Sequence, residues 1–327
     1  MKKVALFDAK PYDREWFENL KGKYGIEIEY IEEKLSPSNA ATARGYDGVI
    51  PFVNDDLSAA TIENLVKEGV GVVAMRCAGY NNVDLKAAAG RVKVFRVPAY
   101  SPNAVAEHAA TLLLCLNRNL HTAHNRVKGY NFTLNGLTGF DLTGKTVGVV
   151  GTGKIGQIFI NICKGFGMKV IAHDIYPANL LDVEYMELPE LLKKADVISI
   201  HCPQTPENYH MIDKNAIALM KDGVYIINTS RGGLVNAKDL LEAVNSGKVR
   251  GAGLDVYEYE SGVFFEDRSK DPPNDEVLKQ LLANPNVLIT SHQAFLTREA
   301  LMAIAEITLQ NLTDFFNGNS NSNEVKP

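Results

Sequence analysis

Cysteine is scarce in these 327 residues, and the four present (Cys77, Cys115, Cys163 and Cys202) show no CxxC spacing. That argues against a disulfide scaffold or a zinc site and predicts small buried hydrophobes in a reducing compartment. Long apolar runs are missing too. The start, "MKKVALFDAKPYD", reaches Asp8 too soon for the core of a signal peptide, and "AATLLLCLN" (109–117) is far too short to span a bilayer. No block of basic residues stands out: 34 Lys and Arg face 39 Asp and Glu, a formal net charge of −5. Neither a nucleic acid nor an anionic membrane is an expected partner. These absences predict a soluble, cytoplasmic chain with no metal centre.

What is present is alternation. A chain of this length exceeds one comfortable hydrophobic core, so two domains are expected. "KVALFDA" (3–9), "IEIEYIE" (26–32), "YDGVIPFV" (46–53), "VGVVAMR" (70–76) and "VKVFRVP" (92–98) read as short strands bounded by Gly, Pro or Asp. Helical stretches lie between them, such as 58–69, with Ser58 as N-cap and Gly69 as stop. Residues 101–127 form the longest helical pattern, opened by Ser101 and Pro102, and would run about 40 Å. A Gly-rich connector (134–144) follows. Strands are then expected at 146–150, 169–173, 196–200, 223–228, 250–254 and 286–290, and a closing helix at 298–318. The last residues, "NGNSNSNEVKP", look too polar to pack and are expected to fray. Strand-helix alternation of this kind implies parallel sheets.

"TVGVVGTGKIGQ" (146–157) carries the strongest local signal. Gly151 permits a tight bend, Gly153 lets the backbone approach a pyrophosphate, and Gly156 lets a helix pack close to the strand. The helix N-terminus then offers free N–H groups to phosphates. At the end of the next strand, "KVIAHD" places Asp174 to accept hydrogen bonds from a ribose 2′-hydroxyl. No Arg follows in "DIYPAN", and a carboxylate would repel a 2′-phosphate, so NAD is expected rather than NADP.

Hydride transfer to a carbonyl needs a group for the substrate's anionic end, a proton donor, and a partner that keeps the donor charged. Three later strand ends supply such types: Arg231 in "NTSRGGLV", Asp255, Glu258 and Glu260 in "LDVYEYE", and His292 in "TSHQAF". Each alone is as well explained by a surface ion pair, a solvated acidic loop or a structural histidine. Together, at ends of one expected sheet, they point to a reaction centre.

These segments, with "RCAGYNNVDL", "VPAYSPNAVAEH", "DVISIHCPQTPENYHMI" and "FFEDRS", resemble the D-isomer-specific 2-hydroxyacid dehydrogenase family over about residues 76–298. Within it they fit best the fermentative branch that interconverts pyruvate and D-lactate. The resemblance implies an α/β chain of two doubly wound parallel-sheet domains. A Rossmann NAD-binding domain of residues 101–298 would be inserted into a flavodoxin-like substrate domain of residues 1–100 and 299–327, with the reaction in the cleft. Catalysis would fall to Arg231, Glu260 and His292, while Glu258 matches a non-catalytic acid. Lys154 and Ile155 would lie along the pyrophosphate, Cys202, Pro203 and Asn208 on the adenine side, and Thr229 and Ser230 by the nicotinamide ribose. Asp255 would face the nicotinamide carboxamide. The backbone amides of Ala78 and Gly79 would grip the substrate carboxylate, and Tyr100 and Phe295 would wall its pocket. A homodimer or a tetramer through the cofactor domain and residues 101–127 is also implied. Two alternatives stay open: a dehydrogenase for phenyllactate, glycerate or a branched 2-hydroxyacid, or an NAD-sensing interaction module like the C-terminal-binding-protein corepressors.

Overall fold

Parallel strands and helices alternate throughout the computed structural model, which describes residues 1–180 and 182–327. The chain divides into two units, Met1–Ser101 with Leu296–Pro327, and Pro102–Phe295.

The first unit contains β1 (Lys2–Leu6), α1 (Pro11–Tyr24), β2 (Ile26–Tyr30), β3 (Gly48–Ile50), α2 (Ala59–Lys67), β4 (Val72–Ala74), α3 (Leu85–Ala88) and β5 (Lys93–Phe95). The second contains α4 (Pro102–Asn117), α5 (Leu120–Lys128), β6 (Thr146–Val150), α6 (Lys154–Gly165), β7 (Lys169–His173), β8 (Glu184–Tyr185), α7 (Leu188–Lys194), β9 (Val197–Ile200), α8 (Lys214–Leu219), β10 (Val224–Asn228), α9 (Ala237–Ser246), β11 (Val249–Leu254), α10 (Glu276–Ala283) and β12 (Val287–Ile289). The chain then returns to the first unit as α11 (Arg298–Phe316).

In the first unit the strand order is β2-β1-β3-β4-β5, all parallel. Its core joins Val4, Leu6, Ile50, Val72 and Ala74 to Phe17 of α1 and to Ala305, Leu309 and Leu312 of α11. Those α11 positions recur at helical spacing, so one face of the last helix is apolar and buried. Leu309 and Leu312 each stabilise the unit by roughly 1.5–3 kcal/mol. The second unit orders its sheet β12-β11-β10-β9-β6-β7-β8, again parallel. Strands such as VISI (β9) and VYIIN (β10) are buried along their length, as a sheet covered on both faces requires. The order reverses between β6 and β9, where ligands bind in such sheets.

Four local expectations fail for identifiable reasons. The long helix breaks: Asn119 adopts a left-handed φ of 49° between α4 and α5. Buried Asn117 turns its side chain to the connector, donating to the Phe140 carbonyl at 2.8 Å and accepting the Phe140 N–H at 3.0 Å. Ser58 precedes α2, but its hydroxyl makes no cap, and Asp56 takes the Ser58 N–H instead at 2.8 Å. The two-residue β8 carries too little pattern to be read. The polar tail does not fray. Val325 N–H donates to Val94 at 2.8 Å and Arg96 N–H to Asn323 at 3.1 Å, so the tail lies antiparallel on the exposed edge of β5. Asn321 and Asn323 donate to the side-chain oxygen of buried Asn311 at 3.0 and 2.9 Å. The amides that made this stretch look unstructured are its attachments, and it covers a sheet edge that would otherwise invite pairing.

Candidate active site

The glycine turn joins β6 to α6. Gly151 has φ 95°, and a Cβ there would lie 2.6 Å from the Cys202 nitrogen; a Cβ on Gly156 would lie 2.0 Å from the Gly151 carbonyl oxygen. Both positions therefore require glycine for the protein's own packing. Gly153 differs: its φ is ordinary and nothing lies within 4 Å of a would-be Cβ. The space above the helix N-terminus is open where a phosphate would need it.

Asp174, after β7, accepts from the Thr152 N–H and hydroxyl at 2.5 and 3.0 Å and from the Tyr176 N–H at 2.9 Å. Burial alone would raise its pKa, but these hydrogen bonds outweigh it and hold the carboxyl below its usual range. It is thus an anion fixed at the strand end, suited to hydroxyl donors and hostile to phosphate. Beside it the side chains of Ile175 and Tyr176 are exposed, offering apolar surface to a flat ring. Lys154 and Ile155 begin α6. Across the switch point Ser230 donates to the Cys202 carbonyl at 2.5 Å, while Asn208 closes its loop through the Pro203 carbonyl at 2.8 Å and the Thr205 N–H at 2.7 Å. Thr229 is buried, and its hydroxyl has no hydrogen-bond partner among the described residues. A bare buried hydroxyl costs free energy unless a ligand meets it. Open space at Gly153, the Asp174 anion and the orphaned Thr229 hydroxyl fit a dinucleotide.

The chemistry-bearing residues follow three adjacent strands. Asn228 of β10 pairs in register with Leu254 of β11, and Leu254 with Ile289 of β12. The ladder continues past the strands: Asp255 N–H donates to Asn228 and His292 N–H to Asp255, at 2.9 and 2.7 Å. Arg231, Asp255 and His292 therefore leave one sheet edge side by side. Arg231 is partly buried; its guanidinium donates to the Ser230 carbonyl at 2.7 Å and makes no ion pair among the described residues. Asn228 fixes this turn, donating to the Arg231 carbonyl at 2.9 Å and accepting the Ser230 N–H at 3.0 Å.

His292 Nδ1 lies 2.8 Å from Glu260 Oε1, while Glu260 Oε2 accepts the Tyr257 N–H at 3.1 Å. The imidazole is held through one nitrogen, and Nε2 has no hydrogen-bond partner among the described residues. Asp255 is fully buried; its carboxylate accepts from Thr290, Gln293 and Ala294, so in this structure it anchors the His292 turn. Phe295, also buried, follows at once. Glu258 does not reach His292. It pairs with His210 Nε2 at 2.6 Å and accepts the Ala237 N–H at 3.2 Å.

Some of the site was not anticipated. Thr152 fixes Asp174. Gly232 lets the Arg231 turn lie against the Glu260 loop, since a Cβ there would fall 2.0 Å from the Tyr257 carbonyl carbon. The repeated Gly in "SRGG" was its signal. Phe265, with a left-handed φ of 66°, places its ring 5.8 Å from that of His292. His210 gave no sequence signal at all.

In the first unit, the loop after β4 holds Ala78 and Gly79. The Arg96 guanidinium donates to the Ala78 carbonyl at 3.1 Å and the Cys77 thiol to the Gly79 carbonyl at 3.2 Å. Their two N–H groups donate to nothing among the described residues, which leaves them for an anion. Half-buried Tyr100 stands at the end of this unit's first segment.

Comparison with known proteins agrees with this geometry. Residues 110–294 match the model of the D-isomer specific 2-hydroxyacid dehydrogenase, NAD binding domain. D-lactate dehydrogenase of Escherichia coli K12 is 49% identical over 327 residues, covering 99% of each chain. Among solved structures, apo D-lactate dehydrogenase from Escherichia coli superposes with TM-score 0.91 at 47% identity, covering 99% of each chain. The pyruvate reductase of Chlamydomonas reinhardtii gives TM-score 0.95 at 42% identity, covering 99% of this chain and 98% of that one. The chain belongs to the D-isomer specific 2-hydroxyacid dehydrogenase family, and its second unit is that family's NAD-binding domain.

Proposed function

We propose that the protein is an NAD-dependent D-lactate dehydrogenase that reduces pyruvate reversibly to D-lactate. The observation that carries this reading is Arg231: a partly buried guanidinium that pairs with no acid among the described residues, on the same sheet edge as the His292–Glu260 pair. An uncompensated charge of that kind suits a substrate carboxylate. The relatives named for D-lactate and pyruvate support the choice of substrate.

Bound NADH supplies the hydride, and Gly151, Gly153, Lys154, Ile155, Gly156, Asp174, Cys202, Pro203, Asn208, Thr229 and Ser230 would hold it. Arg231 forks onto the carboxylate and polarises the C2 carbonyl oxygen. His292, as imidazolium, gives its Nε2 proton to the developing alkoxide, and Glu260 holds the ring through Nδ1 so that Nε2 is the proton left to give. In the reverse direction the neutral imidazole accepts that proton. Within the first unit, the unpaired Ala78 and Gly79 amides would suit an anionic ligand, and within the second, Phe295 beside the His292 turn would limit room for a substrate side chain. A methylene is worth only about 1–3 kcal/mol in such a pocket, so activity on neighbouring 2-oxo acids is expected.

The reading extends to a homo-oligomer, dimer or tetramer, in the cytoplasm. Leu120, Val127, Tyr130, Phe132 and Leu134 are exposed along α5 and the connector, an apolar strip that a second copy would cover. Sedimentation at micromolar protein tests it, a monomer refuting it. No helix is long and apolar enough to cross a membrane among the described residues.

NADH oxidation with pyruvate, 2-oxobutyrate, phenylpyruvate, hydroxypyruvate and glyoxylate, with chiral analysis of the product, tests the activity. Highest kcat/KM on pyruvate with D-lactate formed is expected. A preference for phenylpyruvate or hydroxypyruvate changes the substrate, and no turnover on any of them refutes the enzyme.

A further inference from the structure

We propose that His108, on α4, is a positioning residue of the active site, holding through Thr290 and Asp255 the turn that presents His292. His108 Nε2 lies 3.0 Å from the Thr290 hydroxyl, and that hydroxyl lies 2.5 Å from Asp255 Oδ1. A carboxylate only accepts, so Thr290 spends its one proton on Asp255 and must itself accept from His108. The direction of the chain is thereby fixed: His108 donates to Thr290, and Thr290 to Asp255. His108 Nε2 also stands 3.3 Å from the same Asp255 oxygen.

At its other end Asp255 grips both sides of His292. Its carboxylate accepts the N–H groups of Gln293 and Ala294 at 2.9 and 2.8 Å, and its carbonyl accepts the N–H of His292 at 2.7 Å. This grip supports the left-handed backbone of His292, φ 54°, a conformation uncommon outside glycine that the surroundings help to hold. Asp255 has no exposed surface, and a carboxylate so placed must be hydrogen-bonded to stay ionised. Burial would push its pKa up; the approach of His108 Nε2 to the carboxylate is the largest opposing influence, ahead of the Thr290 hydroxyl, and the net direction is down. Without His108 the anchor is less firmly charged and the turn it holds is freer.

This inference rests on the proposed assignment of His292 as proton donor, and the test separates the two. In His108→Leu, which keeps apolar volume and removes the donor, pyruvate reduction should fall about tenfold in kcat, as small misplacements of a reacting group do. The KM for NADH should change less than twofold, and the Cε1–H NMR resonance of His292, assigned by its loss in His292→Gln, should move and broaden. His108→Gln, whose amide can still donate to Thr290, should restore both readouts. Should the Leu variant not fold, His108→Asn, too short to reach Thr290, takes its place. Unchanged kcat with an unchanged His292 resonance would overturn the role of His108. Absence of pyruvate turnover in the unsubstituted protein would instead refute the functional reading, and the resonance would still decide the coupling.

Discussion

One loop, residues 257–260, holds two histidine–glutamate pairs two positions apart, and they are wired in opposite senses. Glu260 takes His292 by Nδ1 at 2.8 Å and leaves Nε2 without a hydrogen-bond partner among the described residues. Glu258 takes His210 by Nε2 at 2.6 Å, and the other ring nitrogen faces the Asn236 side-chain amide at 3.2 Å. That amide cannot be turned around, because its oxygen caps α9 through the Asp239 N–H at 3.0 Å. Its NH2 therefore donates to His210 Nδ1, and Nε2 faces the Glu258 carboxylate. Residue type and distance would not separate the pairs; the fate of the second nitrogen does. His292 keeps Nε2 open for an outside partner, whereas His210 ties loops together. Glu258 also accepts the Ala237 N–H, so this pair straps α9, which follows the Arg231 turn, to the loop carrying Glu260.

The largest effect that breaks the symmetry is His292→Gln. Losing a general acid costs about 10²–10⁴ in rate, and a fall of about a thousandfold in kcat/KM for pyruvate is expected, with NADH affinity by fluorescence titration nearly unchanged. A variant keeping more than a tenth of its turnover would mean that His292 does not donate the proton.

The two pairs differ equally in how far the sequence announced them. Local, obligatory features were legible: the glycine turn, the acid after β7, and strand ends carrying Arg231 and His292, since each is dictated by neighbours a few residues away. The choice of Glu260 rather than Glu258 as the partner of His292 came from the family resemblance, and the geometry brings Glu260 and His292 together. What stayed hidden depends on contacts between distant segments. Nothing in "NYHMI" says that His210 meets Glu258, and nothing in "VAEHA" says that His108 reaches Asp255. The break at Asn117–Asn119 and the docked tail were missed for the same reason: Asn side chains there choose partners in other elements, a choice invisible to helical periodicity or to polarity.

A third histidine sharpens the comparison because it has no carboxylate. His201 bonds Ser199 through Nε2 at 2.8 Å, its Nδ1 is shut off from water with no partner among the described residues, and its ring packs 4.9 Å from Phe159. Burial pushes its pKa down to about 3. In the unfolded chain it would take a proton near pH 6.5. The folded form therefore binds fewer protons: stability is intact above about pH 6.5 and is lost as the pH falls toward 3, at about 1.4 kcal/mol per pH unit. Urea unfolding should show the unsubstituted protein losing about 2 kcal/mol more than His201→Asn between pH 7 and pH 5. Parallel losses would place the acid sensitivity elsewhere.

The smallest effect is expected at His210 itself, and its smallness is the point. His210→Gln keeps a donor for Glu258 and leaves His292 untouched, so chemistry should change by no more than about threefold in kcat. The ring nevertheless joins Glu258 to Asn236, and its backbone, left-handed at φ 55°, donates to the Gly233 carbonyl at 2.7 Å. Losing one of these side-chain hydrogen bonds costs about 1 kcal/mol, visible as a lower urea midpoint with an unchanged slope. A loss of kcat comparable to that of His292→Gln would make the pairs equivalent, and the wiring of the second nitrogen would then not be what divides a proton donor from a strap.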